Sequence, residues 1–167
     1  MRQPMSLVSV APPRLDHAFF EDEVRPHLGA VLLRSRMLRP EQLDAALAQQ
    51  RAEDKRLGEI LVERGWLFPQ DIARALAVQA GLDYVDIQYS SVDKAAAVTL
   101  DPEIGLRHCA IPVRFLADGS LLVAVADPTS DGLAEISNSV NPRVVFAVTE
   151  ASDVKAAWRT LLHGGRP

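Results

Sequence analysis

Residues 56–79 read RLGEILVERGWLFPQDIARALAVQ and residues 27–50 read HLGAVLLRSRMLRPEQLDAALAQQ; the two align without a gap at a shift of 29 residues. Leu, Gly, Leu, Pro, Ala, Leu and Gln recur at matching places, and apolar positions such as Val31/Ile60, Leu33/Val62 and Leu43/Ile72 exchange only for other apolar residues. Each copy reads as a short helix, a turn and a longer helix. In the second, Leu57, Ile60, Leu61 and Arg64 keep helical spacing, and Gly65 supplies a stop able to take a positive φ. Pro69 stands where a first-turn proline is tolerated, since its missing N–H has no partner there. Ile72, Ala75, Leu76 and Gln79 then line one face at three- and four-residue steps, and Gly81 closes the helix. The first copy follows the same plan through Pro40, Leu43, Ala46, Leu47 and Gln50, but has Arg36 in place of Gly65. A side chain at a left-handed cap costs about 1 kcal/mol, so that turn is either differently shaped or slightly strained. Arg51 to Lys55 is a charged, solvated spacer. Two equivalent units suggest two equivalent half-sites, which suits a ligand made of two equal halves.

Outward from the duplication, the pattern changes. Residues 1–22 hold Pro4, Pro12 and Pro13 and no sustained period, and read as a mobile lead-in that Phe19 and Phe20 dock onto the body. After residue 83, Tyr84 to Ile87 is a short extended segment and Pro102 to His108 one or two helical turns. Ala110 to Phe115 and Leu121 to Ala126 are β-rich runs around Ala117-Asp118-Gly119-Ser120, a hairpin signal. Asp131 to Val140 reads as a helix, Arg143 to Val148 as a strand and Ala151 to Leu162 as an amphipathic helix. Gly164 to Pro167 is a linker or a frayed end. The expected class is α+β: an N-terminal four-helix tandem-repeat unit over 23–83, then a small α/β sandwich-like subdomain with a short sheet over 84–163.

The 167 residues, 48% hydrophobic and 24% charged, are a globular composition with no run long enough for a transmembrane helix. The N-terminus makes a poor signal peptide, and one cysteine, Cys109, cannot form an internal disulfide. A reducing cytoplasmic setting fits, with Cys109 as a small buried hydrophobe. A net charge of -4 argues against DNA as a partner. From Val24 to Leu82 nine Lys/Arg face seven Asp/Glu, against nine and fifteen elsewhere, which is permissive for an anionic ligand; including Glu21, Asp22 and Glu23 erases that excess.

No catalytic constellation stands out. The chain lacks a Gly-rich Lys-Ser/Thr phosphate loop, a strand-flanked GxGxxG and a zinc-like His/Cys spacing, so it is not itself an ATPase, and neither metal nor cofactor is expected. His17, His27, His108 and His163 are scattered, and Asp127-Pro128 is a turn former. The duplicated motif differs because its polar residues sit at fixed points in an apolar frame. Arg56 precedes Leu57-Gly58 at a helix start, where backbone N–H groups favour phosphate. Gly58 lets a ligand approach the main chain. An arginine fork can hold the O6/N7 edge of guanine. Leu57, Leu61 and Leu76 offer apolar walls, unless they are simply core, and Gln50 and Gln79 stand at the inner ends of the apolar faces.

These residues closely resemble the N-terminal domain of type II secretion and type IV pilus assembly ATPases, the MshEN-type module that binds cyclic di-GMP. The family pattern is a tandem motif of Arg-Leu-Gly, two apolar residues a turn later, Gly, then Leu and Leu, ending in Gln, with a five-residue spacer. Arg56, Leu57, Gly58, Leu61, Val62, Gly65, Trp66, Leu67, Ile72, Leu76 and Gln79 match the second motif throughout. Leu28, Gly29, Leu32, Leu33, Leu43, Leu47 and Gln50 match the first, with His27 for the arginine and Arg36 for the glycine. The likeness continues through Tyr84-Val85-Asp86, Ile111-Pro112-Val113 and Leu122 to Pro128, although the duplicated motif is its specific part and the α+β half a weaker one. The resemblance implies that each motif holds one guanylate half, Arg56 and Gln79 on one and His27 and Gln50 on the other. Two functions follow as expectations: a cytoplasmic cyclic di-GMP receptor module, or a nucleotide-independent docking domain. The latter would link a secretion or pilus ATPase, or a glycosyltransferase, to a membrane-associated assembly protein without entering the membrane.

Overall fold

The computed structural model describes residues 26–88 and 92–163. The expected lead-in and the tail at 164–167 lie outside the described residues.

The duplication folds as two helix pairs, α1 (Leu28–Arg34) with α2 (Pro40–Ala52) and α3 (Leu57–Glu63) with α4 (Pro69–Ala80). Both long helices start at their prolines, with a side-chain acceptor three residues past the cap. The Arg39 N–H donates to Gln42 Oε1 at 3.0 Å, and the Phe68 N–H to Asp71 Oδ2 at 2.9 Å. Both short helices end in the same turn. Met37 N–H donates to Leu32 O and Trp66 N–H to Leu61 O, each at 3.0 Å, across a left-handed residue. That residue is Gly65 at φ 66° in one copy and Arg36 at φ 57° in the other. Of the two options left by the sequence, the turn keeps its shape and the arginine accepts the strain. Helix α2 runs through Ala52, so the spacer is shorter than expected, and Lys55 there pairs with Glu53 and Glu63.

Packing is reciprocal: α1 lies along α4 and α3 along α2. The buried core is Val31, Leu32, Leu38 and Ala46 with Ile60, Leu61, Leu67 and Ala75, four pairs of repeat-equivalent positions. Its partly buried border is equally paired, Leu28/Leu57, Met37/Trp66 and Leu43/Ile72. Within each repeat, Gly29 and Gly58 let the two helices of the pair close on each other, because a Cβ at either would lie 2.9 Å from Leu43 of α2 or Ile72 of α4. The symmetry breaks on α4. Ala73 and Ala77, which stand where α2 has exposed Asp44 and Ala48, are buried against Val148, Leu82 and Tyr84. That second apolar face joins the helical unit to the rest.

The remainder is a four-stranded sheet, order β1 (Asp83–Tyr84), β4 (Val144–Val148), β3 (Leu121–Val125), β2 (Ala110–Phe115). β1 and β3 run parallel to β4, and β2 pairs antiparallel to β3 through the expected hairpin, with Gly119 at φ 81°. The helices α5 (Lys94–Ala97), α6 (Pro102–Arg107), α7 (Ser130–Ser139) and α8 (Ala151–His163) complete it. Side chains alternate across the sheet as strand geometry requires. Leu121, Val123 and Val125 face Ala96, Leu100 and Ile136; Leu122 and Ala124 face Val154 and Trp158. The α+β class is as expected, with helices on both sheet faces. Cys109 is half-buried at φ 48° rather than enclosed, and burial pushes its thiol above the usual range.

Candidate functional site

The three parallel strands β1, β4 and β3 end on one edge of the sheet, where open α/β sheets place ligands. The chain leaving β3 there turns through Ala126-Asp127-Pro128, with the Thr129 N–H bonded to Asp127 O at 2.9 Å. Helix α4 delivers its C-terminal turn to the same edge through its buried alanine face, and α3 delivers its N-terminus. The result joins residues far apart in sequence: the Arg56 guanidinium is ion-paired to the Asp127 carboxylate through Nη1 and Oδ2. Beside this pair lies a hollow of about 120 Å³ lined by Leu76, Gln79, Ala80, Asp127 and Pro128.

The Arg56 side chain is 74% exposed, and that of Asp127 37%, so their ion pair is a weak one, worth about 0–1 kcal/mol. The guanidinium is free to change partners at little cost. The helix start beneath it is less open to phosphate than its sequence suggests, because the Arg56 N–H already donates to Glu59 Oε2 at 3.0 Å. Ala30 stands at the corresponding place in the first copy.

The expected site residues separate into groups. Leu76 and Gln79 line the hollow, and Arg56 stands beside it through its pair with Asp127. Leu32 and Leu61 are wholly enclosed in the helical core and Leu67 nearly so, while Leu28, Leu43, Leu57 and Ile72 border it. Gly58 and Gly29 receive the facing helix rather than an open surface. Leu33, Leu47 and Val62 are half-buried. Gly65 and Trp66 sit beyond the far end of α3, a helix about 10 Å long that starts next to Arg56, with Trp66 under the Arg64 guanidinium at 4.8 Å. In the first copy His27 is exposed at the start of α1 without a capping hydrogen bond. The Gln50 amide donates to Lys55 O at 3.1 Å. Asp127, Pro128 and Ala80 were not expected here; a carboxylate and a proline directly after a buried strand are the signal that marks them.

A family model for the MshEN domain matches residues 80–167. That is the half after the duplicated helices, so the part expected to be the weaker signal is the part that is matched. Bacteriophage adsorption protein B of Escherichia coli (strain K12) is 30% identical over 139 residues, 81% of this chain and 18% of that protein. The type IV pilus assembly ATPase PilB of Thermus thermophilus is 35% identical over 113 residues, 66% of this chain and 12% of that protein. The chain therefore spans less than a fifth of the length of these relatives. Among solved structures, MshE with cyclic di-GMP superimposes with a TM-score of 0.73 at 24% identity, covering 82% of this chain and 99% of that one. The N-terminal domain of XpsE gives 0.61 at 21% identity, covering 79% and 91%. At these identities the likeness is one of fold.

Proposed function

The chain belongs to the MshEN domain family, and on that premise we propose that it is a non-catalytic, cytoplasmic receptor module for cyclic di-GMP that regulates an attached or partner protein. One observation supports this most: Leu76, Gln79 and Asp127 line a single hollow at the carboxyl edge of the sheet, with Arg56 ion-paired to that aspartate. Guanine offers acceptors at O6 and N7 and donors at N1 and N2. The Arg56 fork donates to the first pair, and the Asp127 carboxylate accepts from the second. Leu76 and Pro128 bound the hollow, and the Gln79 amide is placed to serve sugar or phosphate. The hollow is smaller than a nucleotide, so binding has Arg56 leave Asp127 and close on the edge of the base. Release of so exposed an ion pair opposes this only weakly.

The second guanylate half falls to His27 and Gln50. An imidazole is shorter than a guanidinium and lacks its planar two-donor fork, and the Gln50 amide must first leave Lys55 O. The grip is accordingly concentrated in the second copy. Equilibrium titration with cyclic di-GMP beside GTP and ATP tests the proposal. Saturable binding of the cyclic dinucleotide alone is expected; none up to high micromolar concentration would refute it.

The departures of the first copy, His27 for the arginine and Arg36 for the glycine, favour a second reading, a docking domain that joins a secretion or pilus ATPase, or a glycosyltransferase, to a membrane-associated assembly protein without nucleotide. Capture of such a partner with equal yield in the presence and absence of cyclic di-GMP would select it.

A further inference from the structure

On the face of α4 next to that hollow, a groove of about 480 Å³ opens between α4 and the end of α1. Val31, Met37, Ala75 and Val78 form an apolar floor, Val78 being 65% exposed, and Arg34 and Arg74 stand at its sides. The duplication supplies an internal control. The equivalent place between α3 and α2 is closed: Trp66 stands where Met37 does, and Arg64 Nε donates to Gln49 Oε1 at 2.6 Å across the two helices. In the open copy these two positions are Ser35, whose hydroxyl turns back to Val31 O at 2.9 Å, and Val78. Among the described residues no side chain spans the gap.

Charge differs between the copies as well. The turn after α1 carries Arg34, Arg36 and Arg39, where the turn after α3 has Glu63, Gly65 and Phe68. Among the described residues Arg34, Arg36 and Arg39 make no ion pair, and Arg74 lies over the Tyr84 ring at 4.3 Å. Arg36, between the lining residues Ser35 and Met37, holds its left-handed backbone at a cost a glycine would avoid and keeps a cation in that turn.

We propose that this groove receives an acidic amphipathic helix of a partner protein. Apolar side chains one turn apart seat on Met37 and Val78, and flanking carboxylates pair with Arg34, Arg36 and Arg74. A trough between two helices takes a third helix by its apolar face, and the surrounding arginines select carboxylates over ammonium groups. The site is independent of the nucleotide, so it stands whether or not cyclic di-GMP binds.

Fluorescence anisotropy of the full chain with a labelled short peptide, leucine at every third and fourth position and glutamate elsewhere, tests this. It should bind at least about tenfold tighter than the same peptide with lysine for glutamate, or with its leucines spread around the helix. Ser35→Arg with Val78→Gln installs the clasp of the closed copy and should remove binding by about the same factor while the circular dichroism spectrum holds. Arg34→Glu with Arg36→Glu should shift preference to the lysine peptide. Equal binding of all three peptides, or none, overturns the proposal. Two further outcomes also overturn it. One is binding of phosphatidylglycerol vesicles but not peptide, which makes the face a membrane contact. The other is a tenfold gain on Phe19→Ala with Phe20→Ala, which gives the groove to the chain's own leading residues.

Discussion

Arg36 and Gly65 stand at the same place in the two helical repeats and carry the same left-handed backbone, φ 57° and 66°, with the same hydrogen bonds closing the turn behind them. Only one of the two residues suits that conformation. Arg36→Gly is therefore expected to stabilise the protein by about 0.5–1 kcal/mol, the relief of the left-handed side chain less the extra freedom glycine gives the unfolded chain. Gly65→Ala should lose about 1 kcal/mol. Urea unfolding checks both signs, and an Arg36→Gly variant less stable than wild type contradicts the strain.

The duplication was legible because its buried positions repeat by residue type. Every core residue of the helical unit, from Val31/Ile60 to Ala46/Ala75, has its partner 29 residues on. What α4 does with its second face was not, since Ala73 and Ala77 read as ordinary helix formers until Val148 is packed upon them. Helix α5 was missed although Asp93 caps it, its carboxylate accepting from the Ala95 N–H at 2.9 Å, because four residues are too short to show a period. At the candidate site Arg56 and Gln79 stood out by their fixed places in the motif. Asp127 did not, because a contact across 71 residues is made by the sheet topology and not by any local spacing.

Gly58 is required by the approach of α4. A Cβ there would lie 2.9 Å from Ile72 Cγ2, so Gly58→Ala forces α3 and α4 apart. Overpacking of this kind should outweigh the gain in helix propensity and leave a net loss of about 1–2 kcal/mol. Gly29→Ala meets only the tip of the flexible Leu43 side chain, at the same 2.9 Å, and should cost less. A thermal melt unchanged in both variants would show that the helices yield freely.

Glu150, directly before α8, has its carboxyl pushed above the usual range, first by burial and next by the Asp153 carboxylate. A carboxyl whose folded value is raised favours the protonated folded state. Its contribution is complete below the ordinary carboxyl range, at about pH 4, and is lost as pH rises through the raised value. Glu150→Gln should thus match wild type in acid and be the more stable near neutrality, with the Tyr84 hydroxyl, at 3.3 Å, still in reach. Denaturation across that pH range gives the answer; a variant destabilised at neutral pH contradicts it.

The hollow at the sheet edge makes the strongest demand, because Arg56 must act there through its charge and reach. Calorimetric titration of cyclic di-GMP into wild type, Arg56→Ala and Arg51→Ala, an exposed position in the last turn of α2, tests this most directly. Saturable binding by wild type and Arg51→Ala is expected, with Arg56→Ala weaker by at least about tenfold, or 1.4 kcal/mol. Affinity that is indifferent to Arg56, or wild-type protein that takes up no nucleotide, would contradict the site.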